Sequence, residues 1–554
     1  MPFDISTIDP SKFHDEEVRA LVIGFLNFVQ EQAKVIADLR SENQRLKDEL
    51  ARLKGEQGKP NVLPNRPTKP PKIDSEKERN EPKKEKPKRK PIKIDHTKFA
   101  AIDRSTLPND AVYKGYENFT VQDLEIRTNN TLIRRERFYS PSQNATFLAP
   151  LPNGLDHPFG ATLRALCLDL YYDKGMTEPK ILEWLEDQNI QMSAGALSNI
   201  LIKHIVDFHK EKDAVFCAGL EVSPWQQTDD TSTRVNGQNW HCHVLGNPLY
   251  TAYFTRPSKD RATILDILRG PLDASYRVNA ETIALATQAK VSQKNIAALM
   301  KLPWDQELAM SEFFKALREH LPGLTEAQEE RIGEAAEIAA YHAQIGFPVI
   351  RLLLSDDAGQ SDKITQEHAL CWVHEGRLYK KLVPCLPAFA KEREDFLTQL
   401  WAYYKELLRY KKNPSKGELK RLLARFDQLF PEKPTYAYAE LNDRILKTRA
   451  KKTELLMVLA HPEIPLHNNA SELAARARVR KRDVSFGPRS DQGVEAWDTF
   501  QSLCATAKKL GIRFYDYVKD RVGKEGKIPN LAEIIREKAK ALNLGGSWPK
   551  AVPV

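Results

Sequence analysis

The chain has 554 residues, enough for several domains, with 41% hydrophobic and 29% charged residues and a formal net charge of +9 at pH 7. It has no run of about 18 apolar residues, and its acidic start, MPFDISTIDPSKFHDEE, lacks the apolar centre of a secretion signal, so neither a membrane span nor export is expected. The six cysteines contain no Cys-x-x-Cys pair, which argues against a disulfide scaffold or a zinc ribbon and for a reducing, cytoplasmic setting.

In chain order, residues 1–57 are expected to form a dimerising coiled coil. Over 16–55, Val18, Val22, Phe25, Val29, Gln32, Ile36, Leu39, Asn43, Leu46, Leu50 and Leu53 recur at steps of four and three. That is an a/d heptad seam, and Asn43 at an a position favours a parallel two-stranded register. The same pattern also suits a helix packed on its own chain. Residues 58–97 read as a disordered basic linker: between Lys59 and Ile94, 13 Lys/Arg stand against 5 Asp/Glu among prolines, so nearly all of the net charge sits there. Such a segment seeks polyanions or simply separates domains. Residues 98–156 alternate in short runs broken by turn signals, as in a small strand-rich domain. Residues 157–218 turn helical, and TEPKILEWLEDQNIQMSAGALSNILIKHI suggests a helix-turn-helix-like DNA-binding domain with Ser193 capping its second helix, although ordinary bundles use the same pattern.

From 219 to 520 the pattern is mixed α+β. WQQTD (225–229), NWHCHVLGN (239–247) and YTAYFT (250–255) read as three strands with turns at Gly237 and Asn247-Pro248. SKDRATILDIL follows as a helix, and 270–346 is too long for a loop and reads as a helical insertion. PVIRLLLSDDAGQ is a buried strand ending on two aspartates, a favoured place for ligands in mixed sheets. A second helical insertion covers 375–460. Residues 521–554 look like a basic, lightly ordered tail.

HNNASELAARARVRKRD (467–483) opens a helix in which Asn469 suits the N-cap and Glu472 the N3 position of a capping box. The dense cations that follow make a second role for Glu472 worth weighing. Asp229 ends the first strand, Asp356 ends the later buried strand and Glu472 opens a helix. Three carboxylates so distributed are what a two-metal phosphoryl-transfer site requires, because two divalent ions need flanking hard oxygen ligands. His241 and His243 face one side of a strand and Cys371 and His374 are three apart, but neither pair has a further ligand at zinc spacing.

Four stretches in this order resemble the insertion-sequence-66-type DDE transposases over about 98–520: TDDTSTRVNG, LLSDDAGQ, LCWVHEGRLYKKL, and IPLHNNASELAARARVRKRDVSFGPRSDQGVEAWDTFQSLCATAKKLGI. The resemblance implies a ribonuclease H-like catalytic core in a multidomain α+β protein. It implies that Asp229, Asp356 and Glu472 are the catalytic, metal-binding triad, with Asp230 and Asp357 as alternates and Thr231, His374 and Asn469 close by. Arg377, Arg476, Arg478, Arg480, Lys481, Arg482 and Arg489 become DNA-backbone contacts, which carry affinity rather than sequence. The implied ion is Mg2+, with Mn2+ as a substitute. The cysteine zinc module of many relatives is missing, so no structural zinc is expected.

The activity implied is metal-dependent cleavage at the ends of a mobile element and strand transfer into target DNA. The implied partners are double-stranded DNA (terminal inverted repeats and target), a second copy through the coiled coil, and accessory proteins of the same element, in a bacterial cytoplasm on the nucleoid and without a membrane. A nuclease that does not join, a silent DNA-binding regulator and a coiled-coil scaffold are the alternatives.

Overall fold

The computed structural model describes residues 8–53, 92–103, 106–108, 111–152, 157–203 and 205–548. The chain divides into two compact units, one of residues 66–149 and 183–192 and the other of 1–65, 150–182 and 193–554. Most of the expected linker lies outside the described residues.

The first helix, α1 (Glu16–Leu53), runs unbroken for 38 residues. Its exposed large apolar residues are Val18, Leu21, Phe25, Phe28, Val35, Ile36, Leu39, Leu46 and Leu50. All fall on the a, d and g positions of the heptad. The opposite face is docked on the chain itself. Leu26 is fully buried, Asn27 donates to the Ala437 carbonyl at 2.8 Å and accepts the Ala439 amide at 3.0 Å, and Gln30 accepts the Cys385 amide at 2.7 Å and donates to the Val383 carbonyl at 2.9 Å. Glu16–Leu50 is also long and apolar enough to cross a membrane by length and composition, with a mean hydropathy of 1.2 over 18 residues. Apolar residues on two faces of its first half, one toward the chain and one toward solvent, produce that value.

In the smaller unit, the expected strand-rich 98–156 contains one described hairpin, β1 (Arg137–Ser140) and β2 (Ala145–Leu148). Val112, Tyr113, Phe119, Val121 and Leu124 are exposed rather than paired, because alternation makes a strand only where a partner edge and a covering face exist. The two helices of the expected helix-turn-helix are α3 (Glu178–Asp187) and α4 (Ala194–Ile202), preceded by α2 (Ala161–Leu168). Ser193 caps α4 by accepting the Ala196 amide at 3.2 Å. Helix α5 (Val206–Glu221) leads into the sheet.

The sheet has five strands: β3 (Trp225–Val235), β4 (Gln238–Gly246), β5 (Thr251–Arg256), β8 (Leu352–Ser355) and β9 (Glu367–Leu370), in the order β5-β4-β3-β8-β9. The first three are antiparallel neighbours, and β8 and β9 run parallel to β3. β3 is longer than the expected 225–229, since Thr231 to Val235 pair with β4 up to an Asn236-Gly237 turn with φ of 46° and 78°. Asp229 therefore sits in mid-strand, opposite Val244, and not at a strand end.

Helix α6 (Arg261–Arg269), capped by Asp260, precedes the first insertion, whose elements are β6 (Ser275–Arg277), α7 (Ala280–Gln288), α8 (Gln293–Leu299), β7 (Glu307–Ala309), α9 (Met310–His320) and α10 (Glu326–Ala343). The insertion has its own core, in which Tyr276 stacks on Phe313 with ring centroids 4.8 Å apart. After β9 come α11 (Trp372–Lys380) and the helices α12 (Pro387–Lys412), α13 (Lys416–Leu429), α14 (Ala439–Arg449), α15 (Lys452–Leu455) and α16 (Met457–Ala460). Trp372 is wholly buried and donates its indole N–H to the Leu455 carbonyl at 2.7 Å, tying this insertion to α11.

The helices α17 (Asn469–Ser485) and α18 (Asp491–Lys509) close the core. β5 is an edge strand, and its outward amides are taken up by α18: Thr251 N–H by Thr506 Oγ1, Tyr253 N–H by Ser502 Oγ and Thr255 N–H by Asp498 Oδ2, at 3.2, 2.9 and 2.6 Å. Residues four apart on a helix advance about 6 Å, close to the advance of two residues on a strand, so one polar helix stripe satisfies a sheet edge. The expected tail instead folds into α19 (Phe514–Gly523) and α20 (Leu531–Ala539). Leu531 and Ile535 are fully buried, and Glu211 of α5 pairs with Arg521 at 2.8 Å. Its high charge masked a short amphipathic period.

Candidate active site

α17 lies along β3 from the middle of the strand to its end. At the start of the helix, Gln227 Nε2 donates to the His467 carbonyl at 2.9 Å and Asn468 Nδ2 donates to the Thr228 carbonyl. At its end Arg482 reaches the Ser232 carbonyl, and the Asn236 amide bonds the Pro488 carbonyl at 3.1 Å. Asn468 also donates its backbone N–H to Cys371 Sγ at 3.2 Å, which ties the same point to the start of α11. The expected capping box does not form. Asn468 occupies the N-cap position without a side-chain cap bond, Asn469 is the first helical residue, and the Glu472 side chain is free to turn away from the helix end.

Glu472 faces α11, and its charge, with that of Asp356, acts on Asp229. Asp229 is half-buried, and desolvation followed by the charges of Asp356, Glu472 and Asp230 pushes its carboxyl up to about 7. Asp356 follows directly on the fully buried β8, and the Ser355 hydroxyl bonds His368 at 2.8 Å beneath it. The neighbouring acids look elsewhere. Asp230, opposite His243 in the register, accepts from Gln360 at 3.3 Å and lies 3.9 Å from Lys259 Nζ, and Asp357 pairs with Lys451. Alternation along β3 puts Thr231 on the same side as Asp229.

Glu472 is buried among cations. Arg377 Nη2 meets its Oε2 at 3.1 Å, Arg476 approaches at 3.5 Å, and His374 Nδ1 faces Oε1 at 3.7 Å. Arg377 also contacts His374 Nε2 at 3.1 Å. Cys371 Sγ, a His374 ring nitrogen and a Glu472 oxygen lie within 4.8 Å of one another. Burial holds the Cys371 thiol up at about 11, which keeps it protonated and makes it a poor ligand for a hard ion. The three carboxylates are the donor set such an ion prefers, and the crowding that raises Asp229 is what a divalent cation would relieve. His241 and His243 do not join this cluster: His243 is buried and bonds the Ser258 carbonyl at 3.0 Å.

The expected cationic face divides in two. Arg476, Arg480 and Arg489 are exposed and Arg482 is half-buried. Arg478 and Lys481 are not DNA-facing, because both point into the core. Arg478 is wholly buried against Asp498 at 3.0 Å and lies over the Trp497 ring, and Lys481 donates to the Tyr171 carbonyl at 2.7 Å with its ammonium over the Tyr171 ring. Helical period, not charge, decides which side of α17 each residue takes. The sequence reading missed the pinning roles of Gln227 and the Cys371 sulfur. The three-residue spacing of Cys371 and His374 was the available signal for the latter.

An acid whose folded value is raised destabilises the fold above its unfolded value, here between about pH 4 and pH 7. Asp229→Asn is therefore expected to raise the stability of the metal-free protein at pH 8 by on the order of 2 kcal/mol. The gain should shrink as pH falls through 7 and vanish near pH 4, as read by urea melts across that range.

The family described as Transposase IS66 family matches residues 352–496, which hold Asp356, the Cys371–Arg377 segment and Glu472. An uncharacterized protein of Sinorhizobium fredii, y4jO, is 32% identical over 326 residues, covering 58% of this chain and 99% of the relative.

Proposed function

Because the chain belongs to the IS66 family of transposases, we propose that it cuts DNA at the ends of a mobile element and joins the freed ends to target DNA, with Asp229, Asp356 and Glu472 as its catalytic carboxylates. The family match over the segment that holds Asp356 and Glu472, with both charges acting on the half-buried Asp229, carries this reading. The strand order β5-β4-β3-β8-β9, with three antiparallel strands followed by two parallel to β3, supports a ribonuclease H-like core. In that reading the three acids hold divalent ions, Mg2+ or Mn2+, which when bound supply charge neutralisation and activation of the attacking and leaving oxygens.

The chain's own groups do the positioning. Asn468 and Gln227 hold the start of α17 against β3, which fixes the helix start that carries Glu472 relative to the strand that carries Asp229. Arg377 and Arg476 balance the Glu472 charge until substrate arrives. Arg476 and Arg480 are placed to take backbone phosphates along α17. A cleavage-and-joining assay tests the reading, using DNA that spans the element ends flanking the gene, in Mg2+ or Mn2+. Joined products support a transposase, and cleavage without joining supports a nuclease.

Two element ends must be brought together, and α1 offers a means. Its a/d/g face is apolar and open, while Glu42 at g and Lys47 at the following e suit an interchain pair in a parallel, in-register dimer. The b/e/f face meanwhile stays clasped to Val383, Cys385, Ala437 and Ala439, just beyond the helix that carries Arg377. Sedimentation equilibrium should find a dimer for the full chain and a monomer for the Ile36→Asp, Leu39→Asp double variant. A wild-type monomer at micromolar concentration would reject the pairing.

A further inference from the structure

The turn that joins α17 to α18 carries a residue that neither backbone preference nor packing explains. Phe486 ends α17 in the left-handed region, with φ of 60°, and its amide bonds the Arg482 carbonyl at 2.7 Å. Glycine is the residue that ends a helix there without strain, and glycine stands only at the next position, Gly487. The Phe486 side chain gains no burial in return, being 83% exposed.

The turn is rigidly held. Gly487 has φ of 89°, and a Cβ there would lie 2.3 Å from the Arg234 carbonyl oxygen. The Asn236 amide bonds Pro488, and Arg482 reaches Ser232, so the β3–β4 hairpin and the α17–α18 turn lock together. Arg234 on the hairpin, which bonds the Gly237 carbonyl at 3.0 Å, and Arg480 and Arg489 on either side of the turn in sequence are exposed, and Asp483 is paired to Arg482. A single strained, exposed aromatic on a fixed turn, with exposed arginines on the segments that meet there, matches the chemistry of a nucleic acid: phosphates for the cations and a base face for the ring. A protein partner would be expected to call for a broader apolar patch.

We propose that Phe486 stacks on or wedges beside a nucleobase of the bound DNA. The inference rests on the reading of α17 as the helix that carries a catalytic acid at its start. From Glu472 to Phe486 the helix advances about 21 Å. For DNA whose axis runs along α17, that distance corresponds to about six base pairs between the stacked base and the reacting phosphate.

The test uses the full chain without divalent ion, so that binding is read apart from chemistry. Duplexes copied from the DNA flanking the gene would carry 2-aminopurine singly at successive positions. Wild type should change the emission at one or two neighbouring positions. Phe486→Ala should lose that change and bind about tenfold more weakly. Its dependence of affinity on salt should be unaltered, because no charge is removed. Arg480→Ala should instead lower the salt slope by about one. Phe486→Trp should retain the signal. Phe486→Gly relieves the backbone and should melt at or above the wild-type temperature while losing the signal, which separates stacking from folding. Wild-type affinity and an unchanged emission profile in Phe486→Ala would overturn the proposal. The catalytic reading would be untouched by that result, since it stands on cleavage by the carboxylate variants.

Discussion

Glu472→Gln is expected to lower both cleavage and joining by on the order of a thousandfold or more, with DNA affinity essentially unchanged. On the proposed reading Asp229→Asn and Asp356→Asn should behave alike, because losing any member of the proposed triad removes the same constellation. Asp230→Asn and Asp357→Asn are the controls. Their carboxylates are engaged with Gln360 and Lys259 and with Lys451, so each should keep most of its activity. Parallel measurement of cleavage, joining and binding separates three outcomes. Loss of chemistry with binding intact makes Glu472 a site residue. Equal activity in the variant would return it to the role of an ordinary helix-start residue, and loss of binding would make it structural.

The second large effect is expected in the core. Arg478 bridges α17, α18 and β5, with Asp498 at 3.0 Å and Asp498 itself accepting the Thr255 hydroxyl at 2.7 Å and amide at 2.6 Å. Arg478→Ala leaves Asp498 buried without its cation and should cost about 3–5 kcal/mol. The double variant Arg478→Met, Asp498→Asn, which leaves no uncompensated charge, should recover a large part of that loss. Because the chain divides into two compact units, a single melting temperature is a blunt readout. Hydrogen exchange confined to β5, α17 and α18 reads the loss directly: protection there should fall in Arg478→Ala and be largely restored in the double variant. An unchanged protection pattern in Arg478→Ala would remove the pair from the account of what holds α17. A DNA contact at Arg478, as its place in a basic run first suggests, predicts instead weaker binding with normal protection.

Residues 225–256 show how far local pattern reaches. The three strands, the Asn236-Gly237 turn and the buried 352–355 strand follow from alternation, turn chemistry and apolar runs. Thr231 to Val235 were missed because a polar strand is held by its partner, not by its own burial. The order found in the described part of the expected tail, 521–548, has a related cause. Leu531 and Ile535 are two apolar residues in a charged stretch, and only the presence of α5 gives them something to bury against.

The sequence by itself determined which residue types were available: the acids at 229, 356 and 472 in their motifs, the heptad seam of α1 and the basic run of α17. The tertiary structure alone decided how they were used. It placed Lys259 near Asp230 and Lys451 on Asp357, cations that come from other segments of the chain. It sent Arg478 and Lys481 inward and left Arg476 and Arg480 outside, and it clasped one face of α1 while leaving the seam open. Periodicity states that a helix has faces, but which face meets protein, DNA or solvent depends on contacts between residues hundreds of positions apart, and those contacts exist only in the folded chain.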